Sequence, residues 1–210
     1  MKNVKVVICI FLLIPSILSA QKIMVEDIIS VSNDIVRKTV GDSLFQYFDI
    51  SEGSYYTDVK NHTSKFLKKK AIKGAINEIW VLYSFKYSHI DGIRGGMWVK
   101  LNSKLELTEA LDYKFIPDFL LEGKSSNFIS PTLILDKAKK ILNKKGIKVL
   151  EPELKFNNHF NVYVYTITNI LTQYKNEMGK DTGETEYCII DAVTGNILSH
   201  DFGYYGTIIR

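Results

Sequence analysis

The amino-acid sequence predicts an α+β fold made of two units, each a helix laid on an antiparallel sheet. Three observations predict it. Apolar residues recur at helical spacing in two stretches, residues 27–40 and 130–145. Each stretch is followed by runs rich in Val, Ile, Tyr and Phe, separated by turn residues. The order of helix then strands therefore occurs twice, and a helix packed across one face of a sheet accounts for each half.

Residues 1–20 lie outside the fold. Lys2 and Lys5 precede an apolar run from Val6 to Ile14, Pro15 and Ser16 break it, and Ser19-Ala20 supplies small residues before Gln21. That is the grammar of a secretory signal peptide, and the run is too short to span a bilayer, which takes about 20 residues. Cys9 lies inside the apolar run without small residues before it, which argues against a lipid anchor. The expected location is secreted or periplasmic. The expected domains are 21–124 and 125–210.

The first helix, residues 27–40, has Ile28, Val31, Ile35, Val36 and Val40 on one side, and Gly41 as its stop. A second helix is expected over residues 64–76, with Phe66, Leu67, Ile72 and Ile76 on its apolar side. Lys65, Lys68, Lys69, Lys70 and Lys73 would form its solvated face. Strands are expected over residues 79–87, 97–101 and 105–107, and residues 115–121 close the half. In the second half Ser130 can cap a helix that has Pro131 at its first position. Leu133, Ile134, Ala138, Ile141 and Leu142 supply its apolar side, and Gly146 follows Lys144-Lys145 as a stop. Strands are expected over residues 149–156, 160–171, 187–190 and 196–199, with residues 173–184 as an exposed hairpin connection. Residues 80–85 parallel 160–165, and residues 97–107 parallel 187–198, the pattern a tandem duplication would leave.

The chain has 210 residues, 46% hydrophobic and 24% charged, and a formal net charge of +4, as an ordinary globular protein does. Without Lys2 and Lys5 its 27 basic residues fall to 25 against 23 acidic ones, so the charge gives no reason to expect nucleic acid. Cys188 is the one cysteine after residue 20, and its apolar neighbours predict a buried, inert thiol. The sequence lacks H-E-x-x-H, C-x-x-C, G-x-S-x-G, a Walker-type loop and G-x-G-x-x-G. His62, His89, His159 and His200 stand apart, so no metal and no cofactor is expected, although His200-Asp201 is the nearest approach to a ligand pair.

The helix ending in Lys-Lys-Gly, the Tyr/Val strand over 162–167 and the run Cys188-Ile-Ile-Asp-Ala-Val-Thr-Gly-Asn-Ile-Leu resemble the PepSY domain family, over residues 130–205. The first half resembles it more weakly. The resemblance implies a small cystatin-like helix-on-sheet fold, found in exported bacterial proteins and in propeptides of secreted peptidases. It implies binding or inhibition of a protein or peptide partner, a peptidase among the candidates, and not catalysis. No peptidase domain follows in this sequence, so inhibition would act in trans.

Asp191, Thr194 and Gly195 are expected to build a structural turn. The expected contact residues are Arg94, in the loop 88–96, and Tyr174 and Lys175, in the loop 172–185, because Tyr and Arg are enriched at binding hot spots. Two other readings stay open at this point: an enzyme whose site is assembled from scattered residues, and a structural component of an envelope assembly. A deep pocket joining His200, Asp201 and a further acidic residue would favour the enzyme. A shallow surface with exposed Tyr or Trp would favour the binding module.

Overall fold

The computed structural model describes residues 22–59, 63–143 and 145–206. Strand β1 (Lys22–Met24) leads into helix α1 (Val25–Val40), the single turn α2 (Asp42–Phe45), and strands β2 (Phe48–Ile50), β3 (Tyr55–Asp58), β4 (Ser64–Phe66), β5 (Ala71–Lys73), β6 (Ile76–Lys86) and β7 (Arg94–Asn102). The turn α3 (Asp118–Leu121) and helix α4 (Pro131–Ala138) follow. Strands β8 (Lys148–Val149), β9 (Glu153–Asn157), β10 (Val162–Ile170), β11 (Tyr174–Lys175), β12 (Asp181–Asp191) and β13 (Ile197–Tyr205) complete the chain. The fold is α+β, and every strand pairing is antiparallel.

Both large sheets are organised around one long strand. In the first, β2 and β3 lie one after the other along one edge of β6, and β7 runs along the other. In the second, β8 and β9 lie likewise along one edge of β10, and β12 runs along the other, with β13 beyond it. Alternation along β6 and β7 sends Ile79, Val81, Tyr83, Phe85, Met97, Val99 and Leu101 to the buried face. Helix α1 covers that face with Ile28, Val36 and Val40, and its Asn33 accepts a 2.7 Å hydrogen bond from the Tyr83 hydroxyl. Burial pushes the Tyr83 phenol well above its ordinary range. Gly41 ends α1 as expected, at φ +83° with its N–H donated to Arg37 O.

The second helix expected in the first half is absent. Residues 64–66 form β4, and residues 71–73 form β5, which pairs with β1 so that Ile72 lies opposite Ile23. Phe66, expected inward, is 59% exposed. The strand expected over 105–107 reduces to a single bridge between Leu101 and Leu107. The hairpin expected over 173–184 is shorter at its tip, because β12 begins at Asp181 and pairs with β11.

Helix α4 starts as expected: Ser130 Oγ accepts the Leu133 N–H, and Pro131 occupies the first helical position. It stops at Ala138, not at Gly146. Ile134, Ala138 and Leu142 are buried against the second sheet, whereas Leu133 and Ile141, expected inward, are exposed. Replacing Ala138 with leucine is expected to destabilise the protein by about 1–3 kcal/mol, because added methylenes in a filled interface force neighbours off their rotamers. Urea denaturation checks this, and Leu133→Ala, at an exposed position of the same helix, serves as the near-neutral reference.

The two large sheets share one core. Phe115 packs its ring on Phe85 of the first sheet, at 5.8 Å between centroids, while its carbonyl accepts the hydroxyl of Tyr163 in the second. Phe119, Phe128, Tyr163 and Phe156 continue the contact as a chain of rings. Gly92, at φ +92°, rests against the Leu154 backbone of β9.

Candidate binding face and the clefts at the joint

From Glu78 onward the even-numbered residues of β6, and those of β7, face away from α1, and both tryptophans are among them. Register places Phe66, Tyr55, Trp80 and Lys100 directly opposite one another across β4, β3, β6 and β7. Tyr55 and Trp80 stack at 5.6 Å with 13° between planes. Trp98 stands steeply to both, 5.7 Å from Tyr55 and 5.8 Å from Trp80. A cation ends the row on each side: Lys100 Nζ lies 4.1 Å from the Trp80 ring centre, and Lys68 Nζ 5.4 Å from that of Phe66. The Trp80 indole donates to Glu78, and Lys100 also pairs with Glu109. Glu78 and Lys100 thus hold the half-buried Trp80 ring, while Phe66 and Trp98 keep apolar ring surface at the protein's exterior.

Trp98 also forms part of a cleft of about 470 Å³ beside this row. Its wall includes Lys100, Glu109, Asp112 and Lys114 from the first half and Phe156, Asn158 and Asn161 from the second. A second cleft, about 530 Å³, shares Asp112, Lys114, Phe156 and Asn161, so the two flank the segment 112–114. The combination is an aromatic surface opening onto a trough with both signs of charge.

The residues expected to make contacts are dispersed. Arg94 is exposed at the start of β7 and borders a third cleft, about 440 Å³, with Ser130 and Glu153. Tyr174 and Lys175 lie on β11, where Lys175 pairs with Asp181 at 2.9 Å. The Asp181 carboxyl is held below its ordinary value by hydrogen bonds from Lys175 and Gln173. Asp191 Oδ1 accepts the N–H groups of Val193 and Thr194, Thr194 Oγ1 accepts that of Asn196, and Gly195 adopts φ +69°. Lys137 donates to the Gly195 carbonyl, which ties this turn to α4. His89 bonds the Tyr47 hydroxyl, His159 packs on Phe160, and His62 lies outside the described residues.

His200 does not join Asp201. Its Nε2 lies 2.7 Å from Oε1 of Glu186, while Asp201 accepts from Ser199. Glu186 is 1% exposed, and its Oε2 accepts the Asn143 N–H at 2.7 Å and the Asn169 amide at 2.9 Å. Burial alone would raise the Glu186 pKa, but the hydrogen bonds from Asn143, Asn169 and His200 outweigh it and hold the carboxyl below its usual value. Cys188, opposite His200 in the sheet, is fully buried, and burial together with the Glu186 charge pushes its thiol pKa up. That environment suppresses the thiolate that nucleophilic chemistry requires. No group of three or more His, Cys, Asp or Glu residues is arranged to hold a metal among the described residues. No described helix is long and apolar enough to cross a membrane.

The aromatic row had a legible signal that composition alone obscures. Trp80 and Trp98 sit on the parity opposite to Ile79, Val81, Met97 and Val99 of their strands, and that parity marks the outer face. The Glu186 network had none, because its partners come from distant positions. No family model matches the chain, and neither a curated protein nor a solved structure matches it.

Proposed function

We propose that the protein is an exported, non-catalytic binding module of PepSY-like type that holds a protein or peptide partner, a peptidase among the candidates. The observation that carries this reading is Trp98, shared between the exposed aromatic row and the cleft of about 470 Å³. Large, rigid aromatic side chains at a rim of mixed charge are the commonest anchors of protein recognition. The contact region therefore moves from the loops named in the sequence to the outer face of the first sheet. The suppressed Cys188 thiol supports binding over covalent chemistry. The leader grammar of residues 1–20 supports export to the periplasm or beyond.

A tandem origin belongs to the same reading. Helix α1 with β2, β3, β6 and β7 has the order and pairing of α4 with β8, β9, β10 and β12. On this view the two copies diverged, one acquiring the aromatic face and the other the buried carboxylate network.

The test is capture from envelope and culture fractions with the mature chain as bait, read by mass spectrometry. Trp98→Ala is expected to weaken the captured partner about 30-fold, the equivalent of about 2 kcal/mol at a hot spot. Retained affinity, or turnover of a substrate by the purified chain, overturns the reading.

A further inference from the structure

Sheet edges are open rows of N–H and C=O groups, and proteins guard them. Most edges here are guarded in a recognisable way. β4 is three residues long and carries Lys65, with Lys68, Lys69 and Lys70 just after it. β2 is three residues long and β8 two. The C-terminal end of β7 is covered by the returning segment, through the Asn102 N–H to Glu106 O, the Thr108 N–H to Lys100 O and the Leu101–Leu107 bridge, and the strand carries Arg94 and Lys100. β9 has Gly92 against its Leu154 backbone.

β13 differs. It is nine residues long and contains no lysine, arginine or proline. Among the described residues it has one paired neighbour, β12. Phe202 and Tyr204 are 65% and 62% exposed, and they border a shallow groove with Leu171 and Glu184. Such an edge presents about 30 Å of regularly spaced backbone donors and acceptors, at about 3.3 Å per residue. Another extended polypeptide backbone is the chemistry that matches that repeat.

We infer that β13 is an acceptor edge for an extended peptide strand with a cationic residue opposite Asp201 and apolar residues opposite Phe202 and Tyr204. This surface is separate from the aromatic face of the first sheet. Asp201 gives the edge its charge, on the face opposite to that of Phe202 and Tyr204, and selects lysine or arginine directly across from it in the incoming strand. The same aspartate discourages self-association. Antiparallel pairing of two copies over the whole of β13 centres on residue 201 and sets Asp201 against its own counterpart, and like charges directly opposite are destabilising.

The experiment uses the mature full chain and a labelled, end-capped nonapeptide of alternating valine and threonine with one central lysine, read by fluorescence anisotropy. Saturable binding is expected. N-methylation of the peptide at alternate residues of one parity should weaken it at least tenfold, and methylation of the other parity should leave it within twofold. Exchanging the central lysine for glutamate should also weaken it at least tenfold, and Asp201→Lys should restore the affinity of that glutamate peptide. The double variant Phe202→Ser/Tyr204→Ser, folded by circular dichroism, should lose binding at least tenfold. Absence of saturable binding, equal loss from both methylation parities, or a dimer in sedimentation that this double variant dissociates would overturn the inference.

Discussion

Glu186→Leu is expected to destabilise the folded chain by about 2–5 kcal/mol. The leucine fills the same space in the sheet but accepts no hydrogen bond. The Asn143 N–H and one N–H of the Asn169 amide, both donors to Glu186 Oε2, are then left without an acceptor in a buried place, while the amide keeps its bond to the Asn143 carbonyl. Each unsatisfied buried donor costs about 1–3 kcal/mol. The Asn169 carbonyl oxygen already lacks a partner, so the network has no slack to absorb the loss. Urea midpoints of the variant and the parent measure the effect.

The same carboxylate predicts an acid limb. The folded state holds the Glu186 pKa below its unfolded value, so the unfolded state binds the proton more readily. Its stabilising contribution is fully present above the unfolded glutamate value, about 4.3, and is lost as pH falls through the lower folded value. Thermal midpoints should therefore fall more steeply below about pH 4.3 in the parent than in Glu186→Gln. Parallel curves would show that Glu186 is not the controlling group.

Gly92→Ala is expected to destabilise by about 3–5 kcal/mol. Two effects add. A residue with a Cβ is strained at φ +92°, worth about 1–3 kcal/mol, and that Cβ would collide with the Leu154 backbone, which belongs to a strand and cannot step aside. Gly179→Ala separates the two: Gly179 also has positive φ, +71°, but open space around it, so about 1–2 kcal/mol is expected. Because Leu154 belongs to the second unit and Gly92 to the first, the excess at Gly92 measures the joint between them. Equal losses at both glycines in chemical denaturation would remove the contact from the account.

Local chemistry made much of the fold legible. Gly41 ends α1, Ser130 and Pro131 start α4, and Asp191 with Gly195 makes the turn into β13, because in each case the residues that act are adjacent in sequence. The failures have non-local causes. Phe66, Leu67, Ile72 and Ile76 fit a helical spacing, but Ile72 is claimed by β1, nearly fifty residues earlier, and Phe66 by the aromatic row. The helix expected to reach residue 145 ends sooner. Past Ala138 the backbone continues through hydrogen-bonded turns, and then Asn143 is taken by Glu186 through its N–H and by Asn169 through its carbonyl. Gly146 serves a different purpose from a helix stop: a Cβ there would collide with the Asn169 amide. Neither partner can be inferred from the helical stretch itself.

The placement of two rare residue types has a practical consequence. Trp80 and Trp98 both belong to the first sheet, so indole emission reports on that half alone. Cys188 is sealed within the second sheet, so its alkylation reports on the opening of the other half. Once residues 1–20, which hold Cys9, are removed, the chain carries a native optical label and a native chemical label on opposite sides of the Phe115 joint, and comparing their time courses reveals whether the halves open together or in turn.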